Sequence, residues 1–318
     1  MFERVPACRF AVFRTFIALA NLFYFIPRQN RVVDYYIHSW FHQPTLDWIP
    51  TISVHAGFIF MGLQYLVGML LLFGVAARLS AGFLSLCGLY VLLLDKIHFS
   101  HNGELHVIFL FILALSNNKL SLIDLFREKK RTSYEMEAWP EYLIRFQLFV
   151  VFFYTALDKM FSPFWGSTGS FLVYELGNQT VFRLDAPTTW FYAVVGLIVS
   201  AAPGMISILV IGVEFFLAAA FLFRRLWNWA VRVSLLFIIV IELLISPGLF
   251  TWDLLAALVL FLPAGIKRYG LVYVILLMTR WDLYGHYLEF PRSVCFVLVV
   301  GIFFFLHVSK QPIISTHD

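Results

Sequence analysis

The stretch Met205-Ile-Ser-Ile-Leu-Val-Ile-Gly-Val-Glu-Phe-Phe-Leu-Ala-Ala-Ala-Phe-Leu-Phe223 holds one ionisable residue, Glu214, in nineteen. A helix of that length rises about 28 Å, close to the ~30 Å hydrocarbon thickness of a bilayer. Runs of this kind recur along the chain at about 9–27, 52–74, 80–96, 104–116, 140–161, 229–246, 249–263, 269–284 and 293–309. A shorter apolar piece, 189–202, stops at Pro203-Gly204 and reads as a re-entrant or interfacial helix, or as an extension of the next span. The expectation is an all-α, polytopic transmembrane bundle of eight to ten spans.

Composition agrees. Of 318 residues, 61% are hydrophobic and 13% are charged, against ~45–50% and ~25% in soluble domains. That excludes an ordinary soluble globule, and it excludes disorder, which needs the opposite balance. The apolar runs do not alternate, so they do not read as a membrane barrel. The net charge of +4 is small and fits loop anchoring better than nucleic-acid binding. Cys8, Cys87 and Cys295 form no C-x-x-C pair or metal-type spacing and read as packing residues. No A-x-A-like site follows the first apolar run, which reads as a retained first span. Residues 31–50 mix Trp40, Trp48, His38, His42, Asp34 and Asp47, and read as a loop or amphipathic helix at the membrane surface.

Lys and Arg in short loops set orientation. With the N-terminus in the cytoplasm, thirteen lie on the inner side and seven on the outer. Both termini are then expected in the cytoplasm, most simply at a bacterial plasma membrane. The polar stretch 117–138 becomes a cytoplasmic loop.

Ionisable groups inside spans are costly and are the first candidates for function. One cluster runs from Asp95 to His106 and contains His98, His101 and His106. Five residues separate His101 from His106, a poor spacing for one helical face, although a turn at Asn102-Gly103 would fold them together. The cluster lacks H-E-x-x-H and a cysteine partner, so no metal site is assigned. Interfacial histidines bonded to backbone and water are the plain alternative. Lys159 closes the fifth run, beside Asp158 and ahead of Trp165. A desolvated lysine there could act as a base, or it could snorkel or pair with a carboxylate. Glu214 should be protonated or paired with a lysine or arginine of a neighbouring helix; Arg145 and Arg232 suit it by depth. Glu242 and Asp253 lie nearer span ends and are weaker candidates. Asn178-Gln179-Thr180 fits a glycosylation sequon, which matters only in a secretory membrane.

Three blocks together resemble the horizontally transferred transmembrane (HTTM) domain family, which includes vitamin K-dependent gamma-carboxylase. The first runs from His101 to Leu122. The second runs from Arg145-Phe-Gln-Leu through Ala156-Leu-Asp-Lys-Met to Trp165-Gly166. The third runs from Glu214 to Pro263 and contains Ser246-Pro-Gly-Leu-Phe250. The likeness is strongest over 5–265 and implies a single membrane domain over 1–318. It implies that Lys159 is the base that deprotonates a reduced quinone, that His106 orients or stabilises reacting groups, and that His98, His101, Glu214 and Trp165 line the same outward-facing pocket. The implied co-substrates are carbon dioxide, oxygen and a glutamate of a peptide. Two positions depart from the pattern: Ile238 stands where a histidine is common, and Phe-Ser-Pro-Phe before Trp165 is one residue longer. The chain also ends at 318 without the large extramembrane domain of the carboxylase. The rival expectation is a non-enzymatic membrane scaffold or maturation factor for a secreted peptide.

Overall fold

The computed structural model describes residues 3–27, 45–46, 48–49, 52–94, 101–117, 120–121, 134–163, 165, 197, 199–244 and 249–261. The expected spans at 269–284 and 293–309, and most of the surface segment 31–50, lie outside them. The described residues form an all-α fold with one small two-stranded sheet. Among the described residues, four helices are long and apolar enough to cross a membrane, and two shorter ones, His101–Leu115 and Leu249–Phe261, are also apolar. The chain divides into two compact units, residues 1–144 with 248–273, and 145–247 with 274–318.

In the first unit, β1 (Arg4–Pro6) leads directly into α1 (Ala7–Ala20). Twelve of the fourteen α1 residues are buried, so this helix is the central post and its apolar side chains point in every direction. It continues as a π-helical turn, Asn21–Phe25. The other helices of the unit are α2 (Val54–Phe73), α3 (Ala77–Leu94) and α4 (His101–Leu115). Ser53 starts α2 by accepting the Ala56 N–H at 3.4 Å. Gly74 ends it at φ +78°, and a Cβ built there would lie 2.8 Å from Arg14 Nη2. Arg14 is buried and its Nη1 donates to the Leu120 carbonyl at 2.6 Å. An intramembrane guanidinium is thereby spent on a backbone carbonyl oxygen in the segment after α4.

Glycines let α2 and α3 close on the rest of the unit. A Cβ on Gly68 would meet Leu22 Cδ2 at 2.7 Å, and one on Gly88 would meet Val107 Cγ2 at 2.6 Å and Phe25 at 3.1 Å. Small residues bring backbones together where lipid offers no hydrophobic driving force. Phe13 meets Phe109 edge-on at 5.5 Å, joining α1 to α4. Strand β2 (Glu135–Glu137) pairs antiparallel with β1, with Val5 opposite Met136.

Helix α5 (Trp139–Phe161) follows β2 and runs on into the second unit. There it meets α6 (Pro203–Leu222), and a 3₁₀ turn at Arg224–Leu226 leads to α7 (Trp227–Leu244). Pro203 opens α6 at a position where its missing N–H costs nothing. Phe152 stacks on Phe221 at 5.6 Å and meets Phe237 edge-on, and Phe153 meets Phe215 at 5.8 Å. Ile238 is fully buried in α7. Helix α8 (Leu249–Leu258), with a 3₁₀ turn Val259–Phe261, returns to the first unit and packs on α1 and α4.

Candidate functional site

Among the described residues two polar centres stand out, one in each unit. In the second unit, the aromatic contacts join Phe152 and Phe153, near the middle of α5, to Phe221 near the end of α6 and to Phe215, and Lys159 further along α5 lies against the earlier Glu214. This antiparallel register brings the C-terminal end of α5 to the middle of α6. Lys159 Nζ there donates to Glu214 Oε1. The lysine side chain is 18% exposed and the glutamate 4%, so the pair is screened little by water. Lys159 also sits 4.9 Å from the centre of the Trp165 ring, within cation–π range. The second carboxylate oxygen, Glu214 Oε2, is buried with no hydrogen-bond partner among the described residues. Asp158 is exposed, so adjacent residues on α5 point different ways.

A cationic partner for Glu214 was expected, but it is not an arginine. Arg145 lies fourteen residues before Lys159, about 21 Å along the helix, and stacks 3.6 Å over Trp227. Arg232 lies 5.5 Å from Trp229. Both guanidiniums are thus occupied by aromatic faces, which suit their flat, weakly hydrated charge.

In the first unit, the centre is His106. Its Nδ1 is 2.8 Å from Asp253 Oδ1 and its Nε2 is 3.3 Å from Asn21 Oδ1. His106 and Asp253 are fully buried and Asn21 is 1% exposed. The ring of Phe25 covers the imidazole at 4.9 Å. The π turn at Asn21–Phe25 makes this possible: the wider turn carries Asn21 and Phe25 together against α4. Such turns interrupt α-helices often at functional sites. Asn21 Nδ2 and Asp253 Oδ2 are buried without hydrogen-bond partners among the described residues.

Among the described residues of the histidine cluster, His101 and His106 are not brought together. His101 is the first residue of α4, and its side chain is 90% exposed and 3.4 Å from Glu104. The expected turn at Asn102-Gly103 is instead the first turn of α4. Backbone N–H groups in a first helical turn need no intrahelical partner, so turn-forming residues are tolerated there. Five residues of helix turn His101 about 140° from His106. His98 lies outside the described residues. Asp253, a weaker candidate in the sequence, and Asn21, which the sequence reading does not single out, are the buried partners of His106. Their signal was a polar residue in a long apolar run, which marks a candidate by itself.

The family model described as HTTM domain matches residues 2–265. The chain belongs to the HTTM domain family. The match contains both centres of this HTTM protein. Comparison with curated proteins and with solved structures returned no match.

Proposed function

We propose that this HTTM protein is a membrane enzyme in which Lys159 and Glu214 act together as the base toward a reduced quinone, in the manner of gamma-carboxylase chemistry. The Lys159–Glu214 pair beside Trp165 carries the reading. A lone buried ammonium has no free lone pair with which to take a proton. A carboxylate partner changes this, because the proton can pass along the hydrogen bond and leave a neutral amine beside a neutral acid. Low dielectric lowers the cost of reaching that uncharged arrangement from the ion pair. Lys159 Nζ then accepts a proton from the ligand, and Glu214 holds the one that Lys159 gave up.

The surroundings fit a quinone head group. Trp165 offers an aromatic face, Glu214 Oε2 is an unused acceptor, and Met160 and Phe161 beside Lys159 are exposed apolar residues suited to lipid. A reduced quinone supplies a phenolic proton and, with oxygen, the basicity needed to take a γ-proton from a peptide glutamate that then attacks carbon dioxide. His106 spends both ring nitrogens on Asp253 and Asn21, so the reading gives it no direct contact with reacting groups. We place the termini in the cytoplasm and Lys159 toward the outer face. The pairing of residues 4–6 with 135–137 supports one common side for the N-terminus and the end of the 117–138 loop.

The test uses the full chain in lipid nanodiscs with a vitamin K-type quinol, oxygen, labelled bicarbonate and a glutamate-rich peptide. Quinol oxidation should fall at least ~100-fold in Lys159→Met and in Glu214→Leu, the scale of a lost general base. Oxidation by Lys159→Met at the wild-type rate defeats the reading. Absence of turnover by the wild type, with peptide export still dependent on the protein, favours the maturation-factor role instead.

A further inference from the structure

The turn between α6 and α7 reads Phe223-Arg-Arg-Leu-Trp-Asn-Trp-Ala-Val-Arg232, with three guanidiniums and two indoles in ten residues. Arg224 and Arg225 lie exposed in the 3₁₀ turn. Arg224 is 5.8 Å from the centre of the Trp227 ring, over which Arg145 lies at 3.6 Å. Arg232 lies in the second turn of α7, and side chains of a helix lean toward its N-terminus. Its guanidinium is accordingly brought back to Trp229, 5.5 Å from the ring centre. Stacking on an indole uses the flat face of a guanidinium and leaves its N–H edge for an oxygen acceptor. No carboxylate balances this charge: among the described residues, Arg224, Arg225 and Arg232 make no salt bridge. Glu214 on α6 is engaged with Lys159. Asp158 lies thirteen residues, about 20 Å, along α5 from Arg145, and Glu242 lies ten residues, about 15 Å, along α7 from Arg232. Uncompensated arginines at a membrane surface draw an anion.

The surface beside the cluster indicates which anion fits. Arg225, Trp229, Arg232, Leu236 and Val240 are spaced by four, three, four and four residues, which sets them on one helical face. The stripe is cationic and aromatic at the turn and apolar beyond Arg232. Trp229, Leu236 and Val240 are exposed. Trp229 has the amphipathic ring favoured at headgroup level. From Trp229 to Val240 the stripe runs eleven residues, about 16 Å, the depth of one leaflet of a ~30 Å hydrocarbon layer. Exposed Leu222 and Phe223 widen the apolar margin at the turn. An acidic peptide would satisfy the arginines and leave the apolar stripe unmatched. A phospholipid with an anionic head is complementary to both, end for end.

We propose that the α6–α7 hairpin holds one anionic phospholipid. Arg225 and Arg232 converge on its phosphate, Trp229 supports the headgroup region, and an acyl chain follows Leu236 and Val240. The inference is independent of the Lys159 reading and of which membrane surface the hairpin faces. The test is native mass spectrometry of the full chain in detergent, titrated with phosphatidylglycerol or with phosphatidylcholine of identical acyl chains. The wild type should retain one phosphatidylglycerol at least ~10-fold more tightly than phosphatidylcholine, the order expected for two guanidiniums at an anionic headgroup. Arg225→Gln with Arg232→Gln should bind the two lipids equally. Arg127→Gln with Arg131→Gln, which removes the same charge from the 117–138 loop, should keep the preference. Arg225→Gln alone, at an exposed residue of the turn, should lower the preference roughly threefold or more, and it carries the test should the double variant not fold. Equal retention of both lipids by the wild type, an undiminished preference in the folded hairpin variants, or an equal loss in the loop variant would overturn the proposal. Displacement of the lipid by a glutamate-rich peptide at equal concentration would overturn it too, since the cluster would then be a general polyanion site.

Discussion

Lys159 and Glu214 show what a buried charge pair commits a membrane protein to. Neither residue is expensive while the other is present, and each is expensive alone. Lys159→Met should therefore destabilise the protein by about 3–5 kcal/mol, the range for breaking a buried pair from one side. The double variant Lys159→Met with Glu214→Leu should recover most of that, because it leaves no orphan charge. Unfolding in mixed detergent micelles reads both, and equal stability of the single and double variants would show that the pair is not coupled in folding. Each partner was visible in the sequence as an ionisable residue in an apolar run. The pairing was not, because 55 residues separate the two and depth along a helix pointed equally well to Arg145 and Arg232. Asp253 was harder still: its partner lies 147 positions away.

At the scale of elements, hydropathy was enough to find the described spans, since each must satisfy its backbone internally and bury or solvate an apolar surface in lipid. Helix ends were less legible. Asn102-Gly103 reads as a turn in isolation, yet the first turn of α4 absorbs it. The π turn after α1 has no hydrophobic period that could announce it; it follows from what Asn21 and Phe25 contact. The glycine approaches around it make a sharp prediction. Gly68→Val and Gly88→Val each place a branched side chain where even a Cβ is too close to Leu22, or to Val107 and Phe25. Each should lower the melting temperature in detergent by several degrees, the effect of about 1–3 kcal/mol of overpacking. Gly62→Val, where a Cβ meets nothing within 4 Å, should leave it nearly unchanged. Equal effects at all three positions would mean that helix propensity rather than packing sets the cost.

For the molecule as a whole, the bias of lysine and arginine toward one side gives an orientation that labelling can check. In a cysteine-free background, a membrane-impermeant thiol reagent added outside should modify a cysteine placed in 167–185 and spare one placed in 127–133. The reverse pattern would turn the protein over and put Lys159 on the cytoplasmic side. The buried state of α1 also bears on how the protein is made. Its apolar surface is covered partly by α8, whose first residue is synthesised 242 positions after Ala7. At roughly 5–20 residues per second, α1 waits on the order of ten to fifty seconds for that partner. Throughout that interval the nascent first helix carries a guanidinium with its final carbonyl acceptor, on Leu120, still unsynthesised for the first several seconds. The insertion machinery, or an attendant chaperone, must therefore shelter α1 during translation, and a ribosome stalled before residue 249 should leave it cross-linkable to that machinery.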